Sequence, residues 1–357
     1  MHTGPIHSDT VKIYEQGADD YARSRPPVHA ARARALATAS LPGRPVADLG
    51  CGPGGYGAAL ASTGLAVVGV DAAGAMVELA RASERCVQAD LEALPLAAGS
   101  LGGAWARNTY LHITPDRLPS ALAQLHRALL VGAPVALSFV TADFVSDDEL
   151  PGRTFFGSDR TGIVDLMVGA GFVEIEVEAT KEGLWAVGKR GRTLPDVVGP
   201  GMRLLLCGLN PSLVAADAGF GFAGPTNRFW KAAESAGVVS QPRNPWRALA
   251  VDRVGMTDLV KRATPRAGEL RADEYRVGAA RVGRLVRRLR PQATCFVGLA
   301  GWRAAVDRTA VAGWQPEGLV GVPAYVMPST SGLNARTSPD ELAGHLRAAL
   351  RPPPGSP

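Results

Sequence analysis

Short apolar runs alternate with alanine-rich, helix-like stretches along most of the chain. In the first half, the apolar runs lie at 46–49, 66–70, 103–107, 134–140 and 173–178. Helical spacing fills the intervals, for example over 74–83 and 118–129. This alternation predicts a mostly parallel sheet with helices on both faces. Only the turn-like segment 180–183 separates the runs 175–179 and 184–188, which predicts a terminal antiparallel pair.

The alternation stops at a polar segment containing Pro and Gly, 189–195, and then starts again. Further strands are predicted at 203–208, 294–298 and 324–327, and further helices at 228–237, 272–290, 301–308 and 339–350. We place the linker in this polar segment. We therefore expect two α/β domains, residues 1–190 and 191–351, followed by a disordered tail at 352–357.

Length and composition limit the number of domains and the cellular location of the protein. The 357 residues suit two domains of about 100–200 residues each. No apolar run approaches the ~20 residues that cross a bilayer, and the N-terminal segment MHTGPIHSDT lacks the pattern of a signal peptide. We expect a cytoplasmic, monomeric protein without membrane association.

Charge divides unevenly between the two halves. Residues 1–195 carry 17 Lys and Arg against 21 Asp and Glu, a net of −4, whereas residues 196–357 carry 21 against 12, a net of +9. A basic C-terminal half suggests contact with a polyanion. The alternative is an arginine-rich composition with its charges on solvated helix faces. The segment 276–290, which holds six arginines, predicts an amphipathic helix with Val277, Ala280 and Leu289 among its apolar positions, and a solvated basic face is favoured over phosphate contact.

The four cysteines raise the question of an iron–sulfur cluster. They are Cys51, Cys86, Cys207 and Cys295. Two lie in each expected domain and none forms a C-x-x-C pair, so buried structural thiols are favoured and no metal site is expected.

A glycine-rich loop follows the first predicted strand. The segment 48–54 reads Asp-Leu-Gly-Cys-Gly-Pro-Gly. Glycines at 50, 52 and 54 permit tight turns and let a ligand lie against the backbone. The run 52–57 also fits G-x-G-x-x-G, which alone is a weak dinucleotide signal.

Acidic residues after the next predicted strands indicate more specifically which ligand this loop binds. Asp71 ends the second strand, where its carboxylate can accept both ribose hydroxyls, and Asp90-Leu91 ends a third unit. With the opening pattern Tyr14…Ala18…Tyr21, the segment 11–188 resembles class I S-adenosylmethionine-dependent methyltransferases of the small-molecule type. The resemblance implies a Rossmann-like sheet and S-adenosylmethionine as cofactor. The implied cofactor-binding residues are Asp48, Gly50, Gly52, Gly54, Asp71, Asp90 and Leu91.

The sequence does not identify the methyl acceptor. The segment 108–112 reads Asn-Thr-Tyr-Leu-His and carries no Asn-Pro-Pro-Tyr-type motif of amino-group DNA methylation. His112 is a candidate general base, although a packed or capping histidine is favoured. Small-molecule and nucleic-acid acceptors both remain open, and the negative charge of this half leans towards a small molecule.

Two motifs in the second half carry a different chemistry. Residues 208–231 read GLNPSLVAADAGFGFAGPTNRFWK, and residues 327–336 read MPSTSGLNAR. Asn210 follows an apolar run, and Phe222 and Asn227 follow it in a loop. From about residue 194 to about 350 the chain resembles the mismatch-specific uracil/thymine-DNA glycosylases of the uracil-DNA glycosylase superfamily. The resemblance implies a three-layer α/β/α domain with a short parallel sheet and a double-stranded DNA substrate.

The resemblance also assigns roles. Asn210 matches the residue that orients the attacking water, and Phe222 matches the aromatic that stacks on an extruded base. Asn227 matches a reader of the pyrimidine edge, although it is also placed to cap the next helix. Ser329 is expected near the leaving base or a flanking phosphate.

The second motif matches the loop that enters the DNA stack. Leu333 in the segment 332–336 would fill the vacated stack, with Gly332, Asn334 and Arg336 as further contacts; the places of Asn334 and Arg336 are fixed only to within one position. Where classical relatives carry His-Pro-Ser, this chain has Met327-Pro328-Ser329, so a charge-stabilising histidine is missing.

The expected protein is a fusion. Its C-terminal domain should excise uracil, and more weakly thymine or modified cytosine, opposite guanine, because small Ala215 and Ala216 are expected in the loop that walls the pocket. It should use water and no metal, although Lys231 and Lys261 leave a lyase open. The alternative is a methyltransferase whose C-terminal domain only binds DNA.

Overall fold

The computed structural model describes residues 8–25, 28, 30–144 and 150–353. Contacts divide the chain into two compact units, Met1–Val168 with Phe172–Gly191, and Gly169–Gly171 with Arg192–Pro357. Of the expected tail, residues 354–357 lie outside the described part.

The N-terminal unit contains a seven-stranded sheet within the described ranges. Its strands are β1 (Val46–Leu49), β2 (Val67–Asp71), β3 (Arg85–Gln88), β4 (Gly103–Ala106), β5 (Pro134–Phe139), β6 (Phe172–Thr180) and β7 (Gly183–Arg190). Their order is β3-β2-β1-β4-β5-β7-β6. The first five are parallel, and β7 is antiparallel to both neighbours. The Rossmann-like sheet and its terminal antiparallel pair are therefore confirmed.

Helices flank this sheet. They are α1 (Ser8–Gln16), α2 (Ala18–Ser24), α3 (Ala30–Ala39), α4 (Gly55–Ala61), α5 (Gly74–Ala80), α6 (Leu118–Ala128) and α7 (Arg160–Gly169). Helices α3 and α4 pack Leu36 and Leu60 against Val46 and Trp105 of the sheet. The strand order reverses between β1 and β4, and such a reversal opens a crevice at the carboxyl ends of the strands.

The C-terminal unit has a five-stranded sheet within the described residues. Its strands are β8 (Leu204–Gly208), β9 (Val254–Asp258), β10 (Thr294–Val297), β11 (Gly313–Leu319) and β12 (Val322–Met327). The order is β11-β12-β10-β8-β9, and only β11 is antiparallel to its neighbour. Neither β9 nor β11 was predicted from the pattern.

Alternate residues of β8 enter two separate cores, which produces three layers. Leu204 and Leu206 join a core with α9 and α13, and Leu205 and Cys207 join a second core with α11 and α12. This is the period-2 alternation of a strand buried on both faces. The helices are α8 (Leu213–Ala218), α9 (Phe229–Ser235), α10 (Pro245–Ala250), α11 (Ala272–Leu289), α12 (Leu299–Ala305) and α13 (Pro339–Ala349).

Two expectations about local structure are wrong. Lys189 and Arg190, expected in the linker, are the last residues of β7 and pair with Pro134 and Phe172. In α11, Val277 is 69% exposed and Ala280 is exposed too. The buried face instead carries Gly278, Arg281, Val282, Gly283, Val286 and Leu289.

One arginine of α11 therefore lies in the interior, where it joins an ion cluster. Asp196 accepts from Arg281 Nη1 at 2.6 Å, from Lys261 Nζ at 2.9 Å and from Thr257 Oγ1 at 2.6 Å. Burial alone would raise the pKa of Asp196, but the Arg281 and Lys261 charges hold it below its ordinary value.

No helix in the described part of the chain combines the length and the apolar character that a bilayer span requires.

Candidate functional site

A cavity of about 490 Å³ lies at the carboxyl edge of the N-terminal sheet. Five of the predicted cofactor residues line it, namely Gly50, Gly52, Asp71, Asp90 and Leu91. They come from the ends of three neighbouring strands, which parallel pairing places side by side. Asp48 and Gly54 are not on its wall.

The glycines of the loop serve two different purposes. Gly50 and Gly52 have φ of +65° and +52°, and a Cβ on Gly50 would lie 2.2 Å from the Thr109 hydroxyl oxygen. These two positions therefore need glycine to keep the loop close to its surroundings. Gly54 precedes α4 with φ of +86°, and a Cβ there would lie 3.0 Å from the Cα of Ala80, so it also permits the start of α4 to pack against α5.

The two carboxylates on the cavity wall are held by backbone amides. Asp71 accepts from Gly52 N at 2.9 Å and from Ala73 N at 3.0 Å, which fixes its carboxylate at the end of β2. Asp90 accepts from Glu92 N at 2.8 Å and caps a short 3₁₀ turn that carries Leu91. Burial raises the pKa of Asp71.

Asp48 lies within β1, beneath the loop. Its carboxylate is buried and Oδ2 has no hydrogen-bond partner among the described residues. Burial raises its pKa to about 7, opposed by the Arg25 charge. Its carboxylate accepts a hydrogen bond from the Gly57 backbone, so Asp48 holds the first turn of α4.

A compact cluster of potential ligands lies next to this loop. The ligand atoms of Cys51, Glu84 and Cys86 are all within 4.8 Å of one another, and both Glu84 carboxylate oxygens are buried without a hydrogen bond in the described chain. Cys51, Cys207 and Cys295 are buried as expected, whereas Cys86 is partly exposed.

His112 has both ring nitrogens engaged. Nδ1 lies 2.8 Å from the Thr154 carbonyl, and Nε2 lies 3.1 Å from the Tyr14 hydroxyl. Because a carbonyl only accepts, Nδ1 carries the hydrogen and Nε2 accepts from Tyr14. His112 is therefore a packed, hydrogen-bonded histidine on the cavity wall.

A second candidate site of about 210 Å³ lies at the carboxyl edge of the C-terminal sheet. Four predicted site residues line it: Asn210, Phe222, Asn227 and Gly332. Ser329, Leu333, Asn334 and Arg336 are not among its lining residues.

The side-chain amide of Asn210 has a defined orientation. Nδ2 lies 3.0 Å from Arg262 O, 3.1 Å from Pro211 O and 2.8 Å from Thr264 Oγ1. Two of these partners are carbonyls, which only accept, so the atom facing them must be the nitrogen. The oxygen Oδ1 receives no hydrogen bond within the described ranges and is available as an acceptor.

Phe222 and Asn227 each serve the fold as well as the pocket. Phe222 has φ of +59°, and one face of its ring stacks on Phe229 with centroids 4.0 Å apart. Asn227 Oδ1 accepts from the backbone N–H of Phe229, the first residue of α9, at 2.9 Å, and Asn227 also lines the pocket.

The 329–336 loop presents an apolar tip on a hydrogen-bonded base. Leu333 is 97% exposed. Asn334 Nδ2 donates to Ser329 O at 2.8 Å and to Thr337 Oγ1 at 3.1 Å. Ser329 Oγ accepts from Ser331 N at 3.2 Å. Ser329 and Asn334 therefore shape the loop, while Arg336 is exposed.

Sequence reasoning missed the residue that anchors this loop. The Arg228 guanidinium donates to the carbonyls of Thr337, Ser331 and Asn334, and its own backbone N–H donates to Thr330 O at 3.0 Å. No local pattern signals such a role, because its partners lie about a hundred residues away.

Sequence reasoning also missed an acidic residue in the pocket that contains Asn210. Asp258 ends β9 and lines the same cavity as Asn210. Burial raises its pKa to about 6, and the Lys261 charge opposes the rise. A Cβ on Gly208 would lie 2.4 Å from Asp258 Oδ1, so the carboxylate has room only because residue 208 lacks a side chain.

Three further residues of the sequence analysis, Ala215, Lys231 and Lys261, occupy different places in this unit. Ala215 lines the pocket from α8 rather than from a loop, and Ala216 is buried on that helix outside the lining. Lys261 is held in the buried ion pair with Asp196. Lys231 is exposed on α9.

Comparison with known families agrees with this division. Residues 46–132 match the model of a methyltransferase domain, and residues 195–351 match the model of the uracil DNA glycosylase superfamily. Both resemblances are confirmed at the level of these families. S-adenosylmethionine is the cofactor of the N-terminal domain, and the glycine loop and paired carboxylates of the cavity fit it.

Solved structures are similar to about half of the chain. An S-adenosylmethionine-dependent methyltransferase from Thermotoga maritima is 19% identical and covers 51% of this chain and 99% of its own, with a TM-score of 0.40. Magnesium protoporphyrin IX methyltransferase from Synechocystis is 17% identical and covers 50% and 92%, with a TM-score of 0.39.

Proposed function

The chain joins a methyltransferase domain to a domain of the uracil DNA glycosylase superfamily, and we propose that it has two activities. The C-terminal domain is a monofunctional glycosylase that excises uracil opposite guanine from double-stranded DNA. The N-terminal domain transfers a methyl group from S-adenosylmethionine to a small molecule.

The orientation of Asn210 carries the glycosylase proposal. Three acceptors hold its Nδ2, so Oδ1 is presented as a fixed acceptor in a pocket that also contains an aromatic ring and a carboxylate. A fixed acceptor can orient a water molecule for attack on the anomeric carbon, and orientation before the reaction is a large part of such catalysis.

The exposed loop supports the extrusion of a base. A base inside a duplex must leave the stack before its glycosidic bond can be reached, at a cost of a few kcal/mol. Leu333, 97% exposed at the tip of the Arg228-anchored loop, is suited to fill the vacated stack. The face of Phe222 that does not contact Phe229 is suited to stack on the extruded pyrimidine.

Asp258 supplies the proton acceptor that an amide cannot provide. The water oxygen forms the new bond to the anomeric carbon while the carbon–nitrogen bond breaks and its electron pair leaves with the uracil anion. The proton released by the water passes to the Asp258 carboxylate. Neither lysine acts as a nucleophile in this proposal, because Lys261 is held by Asp196 and Lys231 does not line the pocket.

We expect uracil opposite guanine to be the best substrate, with weaker excision of thymine or etheno-cytosine opposite guanine. Ala215 leaves room at the pocket wall, where a tyrosine would exclude a 5-methyl group. Single-turnover excision from matched duplexes that differ only in the target base measures this preference. Preferred action on single-stranded uracil or on purines would contradict it. Binding without any excision would support the alternative, a DNA-binding module.

Asp258→Asn should change the pH dependence of excision. If ionised Asp258 accepts the proton, the wild-type rate should rise with pH around the raised pKa of about 6, and the variant should be slow and flat across this range. The variant should be at least as stable as wild type at neutral pH, because ionised Asp258 bears a burial cost there. A variant that keeps the wild-type profile would remove Asp258 from the proposed mechanism.

The methyltransferase proposal rests on the cavity of the first unit. When bound, the cofactor supplies an electrophilic methyl group. The chain positions it: Gly50 and Gly52 bring the backbone close, Asp71 and Asp90 offer carboxylates, and Leu91 gives an apolar contact. The net charge of −4 over residues 1–195 favours a small-molecule acceptor over a nucleic acid.

Asp71→Ala should weaken S-adenosylmethionine binding by about 1.5–3 kcal/mol, the range for a hydrogen bond to a charged group, or about 10- to 150-fold in Kd. Removal of the carboxylate also releases the Gly52 and Ala73 amides that it holds. Calorimetric titration measures the effect, with Glu176→Ala on the exposed side of β6 as a matched control. Equal affinity of all three proteins would exclude Asp71 from the site.

A further inference from the structure

Three potential metal ligands converge next to the glycine loop of the N-terminal unit. Cys51 belongs to that loop, Glu84 directly precedes β3, and Cys86 lies within β3. Their ligand atoms are all within 4.8 Å of one another, and none of the three residues is among the lining of the cofactor cavity. We propose that this cluster, the thiol–carboxylate site, binds one thiophilic divalent cation of the zinc class in a structural role.

The register of the sheet brings the ligands onto one face. Asp48 of β1 and Cys86 of β3 both pair with Gly69 of β2, from opposite sides, and residues in register across a parallel sheet point to the same face. A Cβ on Gly69 would lie 2.8 Å from Cys86 Sγ and 3.1 Å from Cys51 Sγ. The same atom would lie 3.0 Å from the carboxyl carbon of Glu84. The ligands therefore meet in a space that exists because residue 69 has no side chain.

The Glu84 carboxylate lacks the partners that a buried polar group normally has. Both of its oxygens are buried, and neither has a hydrogen bond within the described chain. A buried carboxylate is costly unless a cation or a hydrogen-bond donor compensates it. Protonation would not remove this cost, because the resulting O–H would itself need an acceptor. A cation shared with the two neighbouring sulfurs supplies the missing partner.

The two cysteines are placed for a shared cation rather than for a disulfide. Cys51 N donates to Val70 O at 3.1 Å on the β1 side of β2, whereas Cys86 pairs with Gly69 from the β3 side. About two strand spacings, ~9–10 Å, therefore separate their backbones, and a disulfide needs Cα atoms no more than about 7 Å apart. A zinc ion about 2.3 Å from each sulfur bridges that separation. No C-x-x-C pair signals such a site, because its ligands come from separate segments of the chain.

The ligand set indicates the kind of cation. Thiolates favour zinc-like cations, whereas Mg²⁺ and Ca²⁺ prefer sites made of oxygen ligands alone. Cys86 Sγ has only a weak contact to lose, with Glu84 O at 3.6 Å. As the ion binds, each thiol releases its proton to solvent, both sulfurs bind as thiolates and Glu84 binds as a carboxylate.

The surroundings of the thiol–carboxylate site suit a bound ion. Three protein ligands leave the fourth tetrahedral position to water. Asp48 Oδ2 is buried on the same face without a hydrogen-bond partner among the described residues, so it is available as an acceptor for that water. Cys86 is partly exposed, which gives the ion a path of entry from the β3 side.

Cobalt binding tests the thiol–carboxylate site directly. The full chain, reduced and freed of metal with a chelator, is titrated with Co²⁺, whose bonds to thiolates give a charge-transfer absorption in the near ultraviolet. We expect one Co²⁺ per chain by elemental analysis and an absorption that Zn²⁺ abolishes and Mg²⁺ does not. Absence of the thiolate absorption, or displacement of Co²⁺ by Mg²⁺, would overturn the proposal. A Cys51–Cys86 disulfide that forms on exposure to air, in a protein that binds no metal after reduction, would also overturn it.

Variants assign the metal to these ligands. Loss of an outer-shell partner typically costs about 10–100-fold in metal affinity, and loss of a direct ligand should cost at least as much. Cys86→Ala should therefore weaken Co²⁺ binding at least about 100-fold, and Glu84→Gln, which keeps the shape of the side chain, at least about tenfold. Cys295→Ala, at a buried cysteine of the other unit, should leave the affinity unchanged. Unchanged affinity in both Cys86→Ala and Glu84→Gln would place the metal elsewhere and refute the proposal.

Thermal melts provide a readout that is independent of the absorption. Zn²⁺ should raise the melting temperature of the wild-type N-terminal unit, because an ion that binds only the folded state stabilises it. The same addition should have little effect on Cys86→Ala, and the melt of this variant without metal verifies that it folds. A wild-type melting temperature that Zn²⁺ does not raise would contradict the structural role.

Discussion

Asn210→Ala should reduce uracil excision about 10²–10⁴-fold, the range for positioned groups that handle a proton or its donor. The affinity for the duplex should remain close to that of wild type. The reason is the location of the amide. It lines the proposed glycosylase pocket, whereas DNA affinity would come mainly from phosphate neutralisation and the inserted loop. Single-turnover excision and equilibrium binding on the same uracil–guanine duplex measure the two quantities separately.

Two further variants make this result specific. Leu333→Ala should weaken the capture of the extruded base, because it shortens the exposed tip without reaching the pocket. Lys231→Ala, a change on the exposed side of α9, should affect neither quantity. An Asn210→Ala protein that cleaves at the normal rate would exclude Asn210 from catalysis, and one that only fails to bind would make it a structural turn residue.

Asp196→Ala should destabilise the C-terminal unit by about 3–5 kcal/mol, because it leaves two buried cations without their partner. Both Lys261 and Arg281 contact Asp196 from positions that are less than a tenth exposed. Scanning calorimetry of the full chain should show the C-terminal transition at a clearly lower temperature. Asp217→Ala, which breaks the exposed pair with Arg192, should leave that transition nearly unchanged.

The same cluster should give the stability a defined pH dependence. The pKa of Asp196 is lower in the folded protein than in the unfolded chain, so the unfolded chain binds the proton more readily. The stabilising contribution of Asp196 is therefore complete above the pKa of this group in the unfolded chain, about 3.9. It is lost as the pH falls through the lower pKa of the folded protein. The difference between wild type and Asp196→Ala should shrink in acid; a constant difference would mean that ionisation of Asp196 is not the cause.

Strands and helices with a strong local sequence pattern were predicted, whereas strands with a weak pattern were not. The apolar run at 204–207 is read directly as β8, and the glycine loop after β1 lies where its spacing indicates. Strand β9 reads Val-Gly-Met-Thr-Asp and β11 contains a proline and two glycines, so neither has the β-branched alternation that marks a strand. Because β9 was not predicted, Asp258 at its end was not predicted either.

Contacts between distant segments account for the other differences between the predicted and the observed structure. Val277 has the character of a core residue, yet the buried face of α11 lies on the side of Arg281, since Asp196 offers it a charge partner. Arg228 looks like an ordinary helix-start residue until the carbonyls of residues 331, 334 and 337 are placed around it. No periodicity encodes such pairings, because they depend on the tertiary fold alone.

The close approach of Gly208 and Asp258 makes these two positions mutually dependent. A methyl group at position 208 would meet Asp258 Oδ1 at 2.4 Å and the edge of Phe222 at 3.5 Å, so an alanine there can be accommodated only if the acid moves or is shortened. The two substitutions should therefore be strongly non-additive: Gly208→Ala harmful alone and close to silent once Asp258 is already alanine. Among proteins that diverge from this one, a side chain at position 208 should accompany the loss of the acid at position 258. This pair would then distinguish domains that retain the proposed proton acceptor from those that have only the oriented amide.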